Sequence, residues 1–354
     1  MNSMIITSFT ERTCIMNRGV TTILCAAVLW AASCDTTEAE LQPQESRQTK
    51  ISNVITPAIP EIVTDYVLIY KPQPDVYKGR DTKNYKSGEI YNTWQANDHT
   101  FTQGPNGRWH CFGIIRPSDV PGDGTHEAGA GTFHALAPFG TLEEAFRPET
   151  WVDQPKIRFG GALYCQKIGD TYNLIYSSKR HAISTDLYNW KDNGYLKIKK
   201  EKGKDTRDPN VLYWNGTYYM VNCNDRSVNL VTSTDFVNWT DPIDIFEAPV
   251  ESWRCESPTL LRHNDKFYLF WCLWDSSPSR EQFPALYKDH TPWSYDYRTF
   301  VYVSDIPSDF NNREPIAQLK GHAPEIFQDE KGNYFISSAD YPRRGINFAR
   351  LEWK

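Results

Sequence analysis

A two-residue Gly/Asn/Asp turn followed by an aromatic run occurs five times in this chain. The copies are "NGRWHCFGI" from Asn106, "GDTYNLIYSS" from Gly169, "NGTYYMVNC" from Asn215, "NDKFYLFWC" from Asn264 and "KGNYFISSA" from Lys331. Turn and run together are a hairpin signature. A second strand-like segment precedes each copy: "DHTFT", "GGALYCQ", "DPNVLYW", "ESPTLLR" and "HAPEIFQ". Two copies are followed by a third such segment ending in one tag, Ile183–Trp190 "ISTDLYNW" and Thr232–Trp239 "TSTDFVNW". Units of three or four antiparallel strands, repeating every 40–60 residues or so, describe a β-propeller. A β-sandwich does not account for five in-phase copies. The fold class predicted is therefore all-β, a five-bladed β-propeller. Helical signal is confined to "TLEEAF" from Thr141, and "TDYVLIYK" (Thr64–Lys71) falls outside the repeats. That segment is expected to join the last blade and close the ring.

In a propeller the first strand of each blade lines the central channel, so the residues that open those strands converge on one mouth. Here they are Asp98, Gly160 or Gly161, Asp208, Glu256 and His322. An acid before a proline is commonly a turn former. Three carboxylates at equivalent places in three repeats are harder to assign to turns. Like charges gathered in a partly dry mouth raise the pKa of at least one of them. A protonated carboxylic acid beside an ionised one is what glycoside cleavage requires. Arg207, next to Asp208, is expected to fix a carboxylate, to bind a substrate oxygen, or to form a plain salt bridge.

At these residues the chain resembles the five-bladed propeller glycosidases of glycoside hydrolase families 43 and 32 and their relatives, the neoagarobiose hydrolases. The likeness runs from about Tyr91 to the C-terminus. It is carried by "TRDPNVLYWNGTYYMV", by "CESPTLLRHNDKFYLFW" and by "GHAPEIFQDEKGNYF". The resemblance implies a glycosidase acting on plant or algal oligosaccharides and polysaccharides. It implies Glu256 as general acid, Asp208 as the residue that tunes it, and Asp98 as base or nucleophile. Asn97, Arg207 and His322 become candidate substrate-binding residues. No cofactor is required for the chemistry, and a structural cation in the channel near His322 is compatible with the resemblance. The Glu-Ser-Pro form leans towards an inverting mechanism.

Asp123 and Glu127, in "PGDGTHEAGAG", compete with Asp98 from a Gly-rich loop. Aligned on Pro209, Pro258 and Pro324, Glu256 matches Arg207 and His322, with Asp208 one residue later. Neighbouring strand residues face opposite sides, so the two acids meet only if the backbone bends there. Rival readings are a sialidase, a glycoside phosphorylase and a non-catalytic sugar-binding propeller. The Ser-Thr-Asp tags resemble Asp-boxes, but a sialidase needs three arginines and only Arg207 is well placed. Aromatics in "WCLWDSSPSRE" and "TPWSYDYRTF" are read as packing groups or sugar-stacking groups.

The N-terminal part is read apart from the propeller. Residues 1–34 form a signal peptide, with Arg18, an apolar stretch and a lipobox-like ending that makes Cys34 a lipidation candidate. Residues 35–61 read as a flexible tether and 62–354 as the catalytic propeller. This implies export to the periplasm or the cell surface, with membrane attachment only through the lipid. A net charge of −6 and the absence of a basic stripe argue against nucleic acid. Five cysteines, at 111, 165, 223, 255 and 272, fall in the propeller without metal spacing. They read as buried apolar groups with at most one disulfide, and no thiol-bound metal is expected.

Overall fold

Hairpins need turns with the twist of their strands, and the sequence supplies them. Asn215 and Gly216 sit at φ 49° and 77°, and Asn264 and Asp265 at φ 45° and 62°. Positive φ at both central residues is the geometry that matches the right-handed strand twist. The computed structural model describes residues 56–73, 94–117, 131–157, 159–176, 179–198, 207–275, 295–340 and 344–354. The signal segment with Cys34, most of the tether, Asp123, Glu127 and the aromatics between 276 and 294 lie outside the described residues.

Strands form five antiparallel sheets, four of four strands in chain order. The first runs from Trp94 to Ile157, the second from Leu163 to Tyr195, the third from Arg207 to Glu247 and the fourth from Trp253 to Lys320. The fifth sheet combines both ends of the domain. Ile326–Gln328, Tyr334–Ala339 and Ile346–Trp353 are followed outward by Pro60–Ile62, and Val67–Tyr70 also pairs with the last strand. Pro60 lies opposite Trp353 and Val67 opposite Phe348. Two further backbone bonds of 2.9 Å join Ile59 and Lys354. The segment outside the repeats therefore does close the ring, which satisfies edges that would otherwise stay open. The pairing begins at Pro60, so Pro60 and Glu61 are strand rather than tether.

Five hydrophobic clusters fill the five seams between neighbouring blades. Trp271, fully buried, marks the seam between the third and fourth blades, with its ring 5.4 Å from Phe246 and 5.1 Å from Phe300. A sheet covered on both faces has no solvent side, so its strands read as near-continuous apolar runs.

The Ser-Thr-Asp tags are structural turns. Ser184 Oγ accepts the Leu187 amide at 2.9 Å, and Asp186 Oδ1 accepts those of Tyr188 at 2.8 Å and Asn189 at 2.7 Å. Ser233 and Asp235 repeat the pattern on Phe236, Val237 and Asn238. No helix occurs among the described residues. The "TLEEAF" segment makes one turn, closed by the Ala145 amide on Thr141 O at 3.1 Å, and stops. All five cysteines of the propeller are buried, and no disulfide joins any of them among the described residues.

Candidate active site

The register conflict between Asp208 and Glu256 is resolved by the backbone. Each blade carries one left-handed residue where its first strand reaches the channel: Asp98 (φ 23°), Gly161 (φ 90°), Asp208 (φ 53°), Ser257 (φ 45°) and Ala323 (φ 50°). Strand pairing slips at three of them, between Asn97 and His99, between Arg207 and Asn210, and between Glu256 and Thr259. A bulge of this kind bends the strand and re-aims a side chain. Left-handed backbone costs a non-glycine residue roughly 1–2 kcal/mol, so four blades carry strain at one equivalent place.

As a result the acids meet. Oxygens of Asp208 and Glu256 and the sulfur of Cys223 all lie within 4.8 Å of one another. Asp208 Oδ2 accepts hydrogen bonds from the Cys223 thiol at 3.0 Å and from the Ser257 amide at 3.2 Å. Glu256 is gripped by Arg207, Nη2 donating to Oε1 at 2.9 Å and Nη1 to Oε2 at 3.3 Å. Asp98 Oδ1 accepts from Asn97 Nδ2 at 3.1 Å and, more distantly, from Ser257 Oγ at 3.5 Å. Ser257 thus touches both aspartates.

Burial pushes the Glu256 carboxyl well above the usual carboxylate range, and the neighbouring Asp208 adds to this against the pull of Arg207. Arg207 remains cationic: burial opposes its charge, but Cys223, Glu256 and Asp208 outweigh that cost. A raised pKa beside a carboxylate acceptor is what a general acid needs.

Below the acids, Asp98, Asp208 and Ser257 line a channel cavity of about 30 Å³, space on the scale of a single water. Glu256 and His322 are not part of that cavity's lining. His322 is buried, its amide donates to Ser338 Oγ at 3.0 Å, and its Nδ1 lies 3.6 Å from Cys272 Sγ. Cys272 is the register partner of Glu256, so His322 lies against the strand that pairs with the acid's own. Arg207, a candidate for a substrate oxygen, directs its fork at Glu256 instead. Asp208, Cys223 and Glu256 are the one group of potential ligands within reach of each other among the described residues. That set does not include His322.

Two members of the site were not singled out in the sequence. Cys223 reads there as an inert apolar residue within a strand. Glu325 lies in "HAPEIF" beside the more conspicuous histidine. Its Oε2 accepts the Phe101 amide at 2.9 Å, and burial raises its pKa to about 8 despite that bond and one from Thr100. An unfolded Glu titrates near 4.5, so between about 4.5 and 8 the folded state binds the extra proton. The Glu325 contribution is complete below the lower value and is lost as pH rises through the upper one. Glu325→Gln should remove a pH-dependent loss of stability on the order of 4 kcal/mol across that window. Thermal melts at a series of pH values check this; parallel curves for the two proteins would refute it.

The family model for glycosyl hydrolases family 43 matches residues 202–354. No curated protein matches the chain. Among solved structures, the chain is similar to an arabinanase from Bacillus subtilis, with 16% identity, 73% of this chain and 94% of that chain covered, and a TM-score of 0.50. It is also similar to a GH43_1 enzyme from Xanthomonas citri, with 11% identity, 73% and 88% covered, and a TM-score of 0.50. These likenesses agree with the five-bladed fold. The chain is thus a five-bladed β-propeller that carries the pattern of glycosyl hydrolases family 43 over its last three blades.

Proposed function

We propose that this protein hydrolyses glycosidic bonds of plant or algal oligosaccharides with inversion of configuration, with Glu256 as general acid and Asp98 as general base. The observation that carries this reading is the contact between Asp208 and Glu256. Two carboxyls with oxygens within 4.8 Å of each other leave no room for a sugar between them. Asp208 therefore acts on the acid, holding its proton in place and raising its pKa, rather than on the anomeric carbon. The carboxylate left to work from the other side is Asp98, oriented by Asn97 Nδ2. A separation of about 6.5–9.5 Å between acid and base admits a water, whereas about 5–5.5 Å suits direct attack.

In the forward step Glu256 gives its proton to the leaving oxygen while Asp98 takes one from the attacking water. Water adds to the anomeric carbon as the glycosidic bond breaks, and Arg207 stabilises the Glu256 carboxylate that results. Aryl glycosides of arabinofuranose, xylose, fructose and galactose, together with arabinan, xylan and agar oligosaccharides, form the panel to test. Proton NMR should show the inverted anomer first with whichever substrate turns over. Retention would make Asp98 a nucleophile, and no turnover across the panel would remove the reading.

A further inference from the structure

The residues just before the left-handed positions form a ring around the mouth: Asn97, Gly160, Arg207, Glu256 and His322. Only the second blade contributes no side chain, so the wall of the mouth is lowest there. Gly160 also lines a second, larger space of about 620 Å³ between the outer strands of the first and second blades. That volume falls in the range of small-molecule sites, roughly 300–1,000 Å³. The groove comes within two residues of the channel cavity, with Gly160 lining the one and Ala162 the other.

Its walls combine aromatic faces with polar planar groups. Phe159 and Tyr176 lie with ring centroids 4.5 Å apart, and Trp190 completes the apolar lining. Arg180 and Asp192, about half exposed, form an ion pair of 3.0 Å at the groove. Trp190 has an internal control. It closes the second blade's tag turn, its Nε1 donating to Leu187 O at 3.0 Å, as Trp239 donates to Phe236 O at 3.3 Å in the third. Trp239 is 7% exposed because the preceding blade's tail crosses it, Lys197 bridging to Asn238. Among the described residues no such bridge covers the second turn, and Trp190 is left half-buried beside the groove.

We propose that this seam is an accessory saccharide site, which holds the part of a neutral glycan chain that leaves the mouth over the second blade. Aromatic rings accept the C–H faces of sugars, while the Arg180–Asp192 pair and Lys156 at the rim offer donors and acceptors to hydroxyls. The proposal rests on the glycosidase reading for what occupies the mouth.

The test is affinity electrophoresis of the full chain in gels containing arabinan, xylan or agar, with polygalacturonate as the charged comparison. Hydrolysis of the aryl glycosides is followed in parallel. Glu256→Gln should be retarded by a neutral polysaccharide as strongly as the parent, and Trp190→Ala and Arg180→Ala should bind it roughly tenfold more weakly. Arg180→Ala keeps the test open if the tryptophan variant does not fold. Cleavage of aryl glycosides without retardation by any neutral polysaccharide would overturn the groove and leave the glycosidase reading standing. So would equal retardation of Arg180→Ala and the parent. Retardation that depends on Arg180, without any cleavage, would support the groove and count against catalysis. Stronger retardation by polygalacturonate would overturn the choice of a neutral chain.

Discussion

Glu256→Gln should lower kcat on unactivated oligosaccharides by about two to four orders of magnitude, the usual contribution of a positioned general acid. Aryl glycosides with good leaving groups should lose far less, because their leaving oxygen departs with little protonation. The amide fills the same volume and still offers an oxygen to Arg207, so folding is not the expected point of failure. The pH profile supplies an independent readout. Burial and Asp208 raise the Glu256 pKa, and the acid works only while protonated. Activity of the parent should therefore fall as pH rises through that raised value. The variant, assayed on an activated substrate, should lack this alkaline limb. Equal losses on good and poor leaving groups would take the acid role away from Glu256.

Asp98→Asn should abolish turnover of both substrate types, by about four orders of magnitude or more. A base that deprotonates water is needed however good the leaving group is. Asparagine can still accept from Asn97 and Ser257, so the bulge should survive, and an unchanged melting temperature would show that it does. Ratios of kcat/KM for parent and variant on one oligosaccharide and one aryl glycoside are sufficient. If the variant cleaves the aryl glycoside at a rate near that of the parent, the base lies elsewhere, with Asp123 and Glu127 as the next residues to test.

Much of the architecture was legible because a propeller is written locally. Asn215-Gly216 and Asn264-Asp265 are turn signals at short range, and five in-phase copies leave little choice of ring size. The ring closure at Thr64–Lys71 was also readable, as a strand-like segment without a blade of its own. The boundary at Pro60 was not. A proline in a Thr/Pro-rich stretch reads as linker until Trp353 is there to pair with it.

At the mouth the division falls differently. Asp98, Asp208 and Glu256 could be named from their places in the repeats, since equivalent places in a closed ring converge. That Asp208 and Glu256 touch was contrary to strict alternation of side chains along a strand. Left-handed backbone at Asp208 and Ser257, with the register slip between Glu256 and Thr259, overrides that alternation. Neither residue type announces such a conformation.

The sequence by itself determined the repeat, the fold class and the placing of Asp98, Asp208 and Glu256 at blade entries, because these follow from periodicity and from position within each copy. Only the tertiary structure decided who meets whom: Arg207 on Glu256, Cys223 on Asp208, and the groove beside Gly160. The first pairing joins two blades, and all of them depend on backbone bends that no short-range pattern encodes. Electrostatics followed the same rule. The raised pKa values of Glu256 and Glu325 come first from burial, and burial exists only once the ring has closed.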